Sequence, residues 1–158
     1  MLLCNALVLS RLDYCNSILC ASKSSHLAQL QRVINLSARI IMRLRRSDHI
    51  SPAVMELRWL PTGARVHFKV AVLVFKCLHR CAPDYLSSCL VIHRPRRTLR
   101  GSSSPVVSLE LGMARTGVGR GAWAVAGPRI WNNLPAAVRD QSLTLIGFQS
   151  LLLEHLFC

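Results

Sequence analysis

The chain has 158 residues, enough for one domain or for one piece of a larger protein. Its 20 Lys and Arg residues outnumber 7 Asp and Glu, and the resulting charge of +13 favours an acidic partner, nucleic acid first and an anionic membrane second. Apolar residues make up 51% of the chain and charged residues only 17%, which excludes a disordered basic tail.

Helical periodicity dominates the first 93 residues. An apolar repeat over residues 2–19 predicts a helix. The clearest helix is predicted over residues 26–46, because six apolar side chains share one side of it: Leu27, Leu30, Ile34, Ala38, Ile41 and Leu44. Ser51 and Pro52 open a short helix to about residue 58, and Pro83 opens another over residues 83–90. Residues 65–80 fit both a strand and a helix, and their length favours the helix.

The second half changes character at residue 94. Residues 94–121 form a basic loop rich in Gly and Ser, with six Arg against the single Glu110. Within this loop apolar and polar residues alternate over residues 107–111, which predicts a short strand that pairs with residues 123–126. Beyond it, the sequence predicts a short helix over residues 128–133, and Ser142 is the predicted N-cap of a closing helix over residues 143–157.

The predicted fold is therefore mainly α-helical, with five to six helices and at most a short β-hairpin between residues 106 and 126. Three regions follow from the pattern: a helical region over residues 1–93, the basic loop over residues 94–121, and a C-terminal helical region over residues 122–158.

The number of cysteines and the hydropathy of the chain indicate where in the cell the protein is located. The seven Cys are odd in number, so a fully paired secreted framework would leave one thiol over. The apolar start lacks the basic n-region of a signal peptide, and the best candidate for a membrane span is interrupted by Lys69 and Lys76. The sequence predicts a soluble, thiol-reduced protein of the nucleus or cytoplasm that is not secreted and engages no membrane.

Catalytic chemistry needs titratable groups that converge, and the seven acids are scattered singly along the chain. Gly117, Gly119 and Gly121 alternate, but no Lys-Ser or Lys-Thr follows them as in a phosphate-binding loop. The chain by itself is expected to be inert as an enzyme and to need no cofactor.

One cluster of metal-ligand types occurs in the middle of the chain, formed by Cys77, Cys81, Cys89 and His93, with His79 nearby. Cys77 and Cys81 lie one helical turn apart and could chelate zinc. The spacing differs from a standard zinc knuckle, however, and the favoured alternative is that both cysteines are small buried residues of their helix. No metal is therefore assigned, while a zinc-dependent nucleic-acid-binding module remains an alternative.

The strongest binding signal is a stripe of arginines opposite the apolar side of the 26–46 helix: Arg32, Arg39, Arg43 and Arg46. The stripe spans roughly 21 Å at 1.5 Å per residue, enough to cover several phosphates. The alternative is a solvated face whose cations complement the helix C-terminus. Acids that would neutralise such a face are absent between His26 and Ser47.

A second basic cluster lies in the loop and consists of Arg94, Arg96, Arg97 and Arg100. No periodic apolar partner accompanies it. This cluster is predicted either to bind nucleic acid or to act as a nuclear-import patch.

Nine short sequence blocks, in a fixed order along the chain, resemble those of a known protein family. The blocks are RLDYCNS at 11–17, LQRV at 30–33, DHISP at 48–52, LRWLP at 57–61, FKCLH at 75–79, APDYL at 82–86, RTLRGS at 97–102, AGPRIWNNLP at 126–135 and a closing segment at 148–157. In this order they resemble the segment after the polymerase core in LINE-type (non-LTR) retrotransposon reverse transcriptases of the jockey-like kind. The chain departs at Gly121, where the family tends to have Arg, and at Cys81, where relatives often have Gly.

The resemblance implies an RNA-directed DNA polymerase whose palm, with its catalytic aspartates, lies upstream of this chain. The chain would then be a non-catalytic C-terminal fragment that begins at or beyond the thumb and helps to grip RNA or DNA through phosphates. Its other partner would be the missing polymerase core, against which Leu2, Leu3, Leu7, Val8 and Leu9 would pack. A decayed element copy with no function of its own is the further alternative.

Overall fold

The computed structural model describes residues 2–14, 16–93 and 106–157. The helices are α1 (Leu2–Cys4), α2 (Ser10–Asp13), α3 (Ser24–Met42), α4 (Ser51–Glu56), α5 (Thr62–Leu78), α6 (Asp84–Ser87), α7 (Gly117–Arg120), α8 (Trp123–Asn132) and α9 (Leu145–Phe157). A π-helical turn, Asn5–Leu9, joins α1 to α2, and a 3₁₀ helix spans Asn16–Ala21. The predicted mainly α-helical class is confirmed, with five helices of six or more residues and no strand in these ranges.

Helix α5 lies at the centre of the molecule and contacts α3, α6, α8, α9 and the 3₁₀ helix. Eight of its 17 residues are buried: Thr62, Val66, Val70, Ala71, Val72, Val74, Phe75 and Cys77. The helix predicted for residues 65–80 is thus confirmed. Burial on several sides explains why its apolar residues also alternate like those of a strand.

The main core forms where α8 and α9 pack on α5. The rings of Phe75 and Phe148 stack with their centroids 4.3 Å apart, and Trp131 lies 5.8 Å from Phe148. These stacked rings fix the helices from the end of the chain against the middle of the chain.

A second, smaller cluster joins α3 to α4. Ile34 and Ala38 of α3 pack there with Val54, Leu57 and Trp59. Leu9 from the N-terminal segment completes this cluster, although the sequence assigned Leu9 to the surface that meets an upstream core.

The N-terminal helix predicted over residues 2–19 is interrupted after Asp13, where Tyr14 adopts an extended conformation. The Asp13 carboxylate accepts hydrogen bonds from Arg65 Nε at 3.0 Å and Nη2 at 2.9 Å, and Lys69 Nζ lies 3.6 Å away. This two-point contact with α5 anchors the end of α2. Leu3 and Leu7 stay exposed.

The predicted pairing of residues 107–111 with residues 123–126 is wrong. Residues 123–126 belong to α8, and Leu109 forms a single antiparallel bridge with Ile92. Side chains of α8 form hydrogen bonds with the backbone of this segment. Trp131 Nε1 donates to the carbonyl oxygen of Val107 at 2.9 Å, and the Asn132 amide accepts from Leu109 N at 3.0 Å and donates to Leu109 O at 2.8 Å. The backbone of residues 91–93 also pairs with this segment, because His93 N donates to Ser108 O at 2.9 Å and Glu110 N donates to Val91 O at 2.8 Å.

The C-terminal helices also differ from their predicted limits. Helix α8 begins five residues before Pro128, which is buried inside it rather than opening it. Helix α9 begins at Leu145 and is capped by Thr144, whose Oγ1 accepts from Gly147 N at 3.2 Å. The backbone N–H of Ser142, the predicted cap, instead donates to Asp140 Oδ1 at 2.9 Å. No helix within the described ranges is both long and apolar enough to cross a membrane.

Candidate nucleic-acid interface

Helix α3 carries the predicted arginine stripe. Only Ile34, Ser37 and Ala38 are buried among its 19 residues, and nine of the 19 are exposed. The apolar side predicted from the sequence is the side that packs, because Ile34 and Ala38 lie at its centre.

The helix ends at Met42, one turn earlier than predicted. Arg43 adopts the left-handed conformation with φ of 51°, its N–H donates to Ile40 O at 3.4 Å, and Leu44 N donates to Arg39 O at 3.0 Å. These two bonds form a Schellman motif, which satisfies carbonyl groups at the helix end. Arg46 therefore lies in the following turn and not on the helix, which corrects its predicted position.

Arg39 holds this turn against the helix. Its Nη1 donates to the carbonyl oxygen of Arg45, and its Nη2 donates to that of Asp48 at 2.8 Å. The Asp48 carboxylate in turn accepts from Arg45 N at 2.7 Å. Because both bonds of Arg39 go to backbone, this arginine has a structural role in addition to the predicted binding role.

The structure nevertheless brings the whole stripe together. One open groove of about 780 Å³ is lined by Arg32, Asn35, Leu36, Arg39, Ile40, Arg43, Leu44 and Arg46. The lining contains no acidic residue. The turn that Arg39 fixes carries Arg46 back to the groove, so four cations converge although only Arg32 and Arg39 lie within α3.

Three of the four cations have no partner among the residues that the structure describes. The guanidinium groups of Arg32, Arg43 and Arg46 form neither a hydrogen bond nor an ion pair with any residue that the structure describes. Their donors remain available for an external anion such as a phosphate.

Sequence reasoning missed two apolar members of this site. Leu36 is 60% exposed and Ile40 is 66% exposed, and both line the groove. Leu36 follows Arg32 by four residues and Ile40 follows Leu36 by four, which places all three along one ridge of the helix. That spacing, off the buried side, is the signal in the sequence that could have identified them.

The second predicted cluster, Arg94, Arg96, Arg97 and Arg100, lies outside the described residues. Its binding or nuclear-import role stays a prediction.

The residues weighed as zinc ligands do not assemble into a three-ligand site within the described part of the chain. Cys77 is buried, Cys81, Cys89 and His93 are exposed, and no group of three His, Cys, Asp or Glu side chains within the described ranges could hold a metal ion. Burial raises the pKa of the Cys77 thiol, against a smaller lowering by its hydrogen bond with Ser87.

His79 has a structural role in the same region. Its Nδ1 lies 2.9 Å from Phe75 O and its Nε2 lies 3.1 Å from Gln141 O. The ring also stacks on Phe75 with centroids 3.9 Å apart. Both ring nitrogens thus lie within hydrogen-bond distance of a backbone carbonyl oxygen, and a neutral imidazole can donate to only one of these two acceptors.

Comparison with known protein families, with curated proteins and with solved structures finds no match to this chain.

Proposed function

We propose that this chain is a non-catalytic C-terminal segment of a LINE-type RNA-directed DNA polymerase and that it grips RNA or DNA through backbone phosphates. The observation that carries the binding function is the acid-free groove at the end of α3, on which four arginines converge. The parent activity and the element type rest on the resemblance of the sequence blocks.

The electrostatics of the groove favour a polyanion over a single small anion. Arg32, Arg43 and Arg46 approach the groove from the helix, its end and the following turn, so they are separated along its length. A chain of phosphates can neutralise such separated cations and releases condensed counterions when it binds. Contacts of this kind position a nucleic acid and carry no base information.

Contacts between the sequence blocks support treating them as one structural unit. The ring of Phe75 in the FKCLH block stacks on Phe148 of the closing segment with centroids 4.3 Å apart. Trp131 of the AGPRIWNNLP block lies 5.8 Å from the same Phe148 ring. Blocks that hold one another in this way are expected to occur together and in a fixed order.

The exposed start of the chain fits the second proposed partner. Leu3 and Leu7 face solvent, as expected of a surface that packs on a polymerase core upstream. A nuclear or cytoplasmic location is part of the same proposal, because the parent enzyme would act on RNA and DNA.

The test measures how the affinity of the purified chain for single-stranded RNA and for duplex DNA depends on salt. The double variant Arg32→Gln with Arg43→Gln removes two cations that have no partner among the described residues. We expect the slope of log affinity against log salt to flatten by about 1.4 units on single strands and about 1.8 on duplex, equally for all sequences. Arg39 is left intact, because its loss would disturb the turn that shapes the groove.

The matched control is Arg80→Gln with Arg120→Gln. Arg80 ends α5 in the left-handed conformation, as Arg43 ends α3, and both control arginines are exposed and remote in sequence from the groove. Their loss changes the net charge by the same amount. An equal change of slope in the two double variants, both still folded by circular dichroism, would contradict a role for the groove.

A further inference from the structure

The groove is lined by apolar residues as well as by arginines, and these apolar side chains are exposed to solvent. Leu36 and Ile40 line the groove between the arginines and are 60% and 66% exposed. Phosphate binding does not remove the surface of these two side chains from water, because a phosphate stays hydrated beside them. It therefore gives them no hydrophobic free energy.

Arg39 differs from the other three arginines in the number of N–H donors that it has left for a ligand. Its two terminal nitrogens donate to Arg45 O and Asp48 O, so it has fewer donors left for a phosphate. The flat faces of its guanidinium are not used by these in-plane bonds. A guanidinium plane of this kind can stack on a nucleobase.

We infer that the groove binds single-stranded nucleic acid and that two sets of its residues contact different parts of the strand. Arg32, Arg43 and Arg46 contact phosphates, while Leu36 and Ile40, with the face of Arg39, contact the faces of unpaired bases. This inference rests on the proposed function and names its substrate class.

The physical reason for the preference is the accessibility of base faces. In a duplex the faces are stacked inside the helix, so a ridge of apolar side chains on a protein helix cannot reach them without unstacking a step. In a single strand the faces are open, and their contact with apolar side chains removes surface of both partners from water. Every base has such a face, so this contact adds affinity without adding a strong sequence preference.

The experiment titrates the full chain with a fluorescent oligouridylate of about 12 nucleotides and with an RNA duplex of the same length, at several salt concentrations. The variant is Leu36→Ser with Ile40→Ser. Its matched control is Leu111→Ser with Ile146→Ser, two apolar residues of similar size that are 62% and 76% exposed and lie away from the groove.

We expect the groove variant to bind the single strand about tenfold more weakly, with its salt slope unchanged because the phosphate contacts remain. Duplex affinity should be unaffected, and the control variant should match the wild-type chain on both ligands. Circular dichroism confirms that each variant is folded, which is expected because all four positions are exposed.

The outcomes separate the two proposals. Equal affinity for single strand and duplex, or an equal loss in the groove and control variants, overturns the inference while leaving phosphate binding intact. Failure of the wild-type chain to bind either ligand at low salt overturns the proposed function and the inference together. Binding to anionic phospholipid vesicles that depends on Leu36 and Ile40, without binding to the single strand, also overturns the inference and assigns the face to a membrane.

Discussion

The two long helices of this protein have similar lengths and opposite roles. Helix α5 has 17 residues, of which eight are buried, whereas α3 has 19, of which three are buried. Helix α5 is packed by elements from both ends of the chain, whereas α3 packs on a small cluster and on α5 and has nine exposed residues. Stability is therefore concentrated around α5, and the free surface of α3 is where substitutions can alter binding without unfolding the protein.

The largest expected effect is loss of an aromatic ring beside α5. Phe148→Ala removes a fully buried ring that stacks on Phe75, so we expect a loss of about 3–5 kcal/mol in the free energy of unfolding. Ile40→Ala on the open side of α3 should cost at most about 0.5 kcal/mol. Urea denaturation of both variants measures the difference, and equal losses would contradict the division between the helices.

Close packing near α5 gives the next effect. A Cβ on Gly121 would lie 2.1 Å from Ala21 Cβ and 2.7 Å from Ala21 Cα, so backbone of the 3₁₀ helix must move to accept it. We expect Gly121→Ala to destabilise the fold by about 1–3 kcal/mol. Gly117→Ala is the matched control, because a Cβ there meets nothing within 4 Å. Thermal unfolding should separate the two, and a similar midpoint for both would show that this contact is not tight.

The link between the two helices is expected to contribute less. Gln31 Oε1 of α3 accepts from Thr62 N at 2.7 Å and from Thr62 Oγ1 at 3.1 Å, which satisfies a free N–H at the start of α5. Gln31→Ala leaves these buried donors unpaired and should cost about 1–2 kcal/mol.

The control for this link is Gln29→Ala, at an exposed position of the same helix. Chemical denaturation should show little change for it. If the two variants unfold at the same urea concentration, α3 is not coupled to α5 through Gln31.

The smallest effect is a pH dependence on α5. Burial, and then the charge of Arg129, lower the pKa of His67 below its ordinary value of 6.5. The unfolded chain therefore takes up a proton at a higher pH than the folded chain does. Stability should fall as the pH drops through about 6.5 and should level off below the folded pKa.

His67→Gln should remove this component, and the comparison is between urea midpoints of the two proteins at pH 7.5 and at lower pH. The imidazole keeps part of its surface in water, which is why the effect is expected to be small. An identical pH dependence in wild-type and His67→Gln protein would assign the titration to other groups.

Much of the site was predictable because it depends on spacing along one helix. The buried side of α3 and the shared side of Arg32 and Arg39 follow from a repeat of 3.6 residues. The exposure of Leu36 and Ile40 could have been predicted from the same repeat. The end of the helix could not, because no Gly or Pro marks it and Arg43 takes the left-handed conformation at a cost.

By itself, the sequence determined the helical class, the position of α5 and the side on which α3 packs, since each is a local pattern repeated over several turns. Only the tertiary structure decided where α3 stops, since that depends on the contacts of Arg39 with Arg45 and Asp48. It also decided that the segment near Leu109 pairs with the Asn132 side chain, 23 residues away, and with the backbone near Ile92, and not with residues 123–126. The periodicity of apolar residues predicts which side of a helix or strand is buried. It does not predict a hydrogen-bond partner that is distant in the sequence.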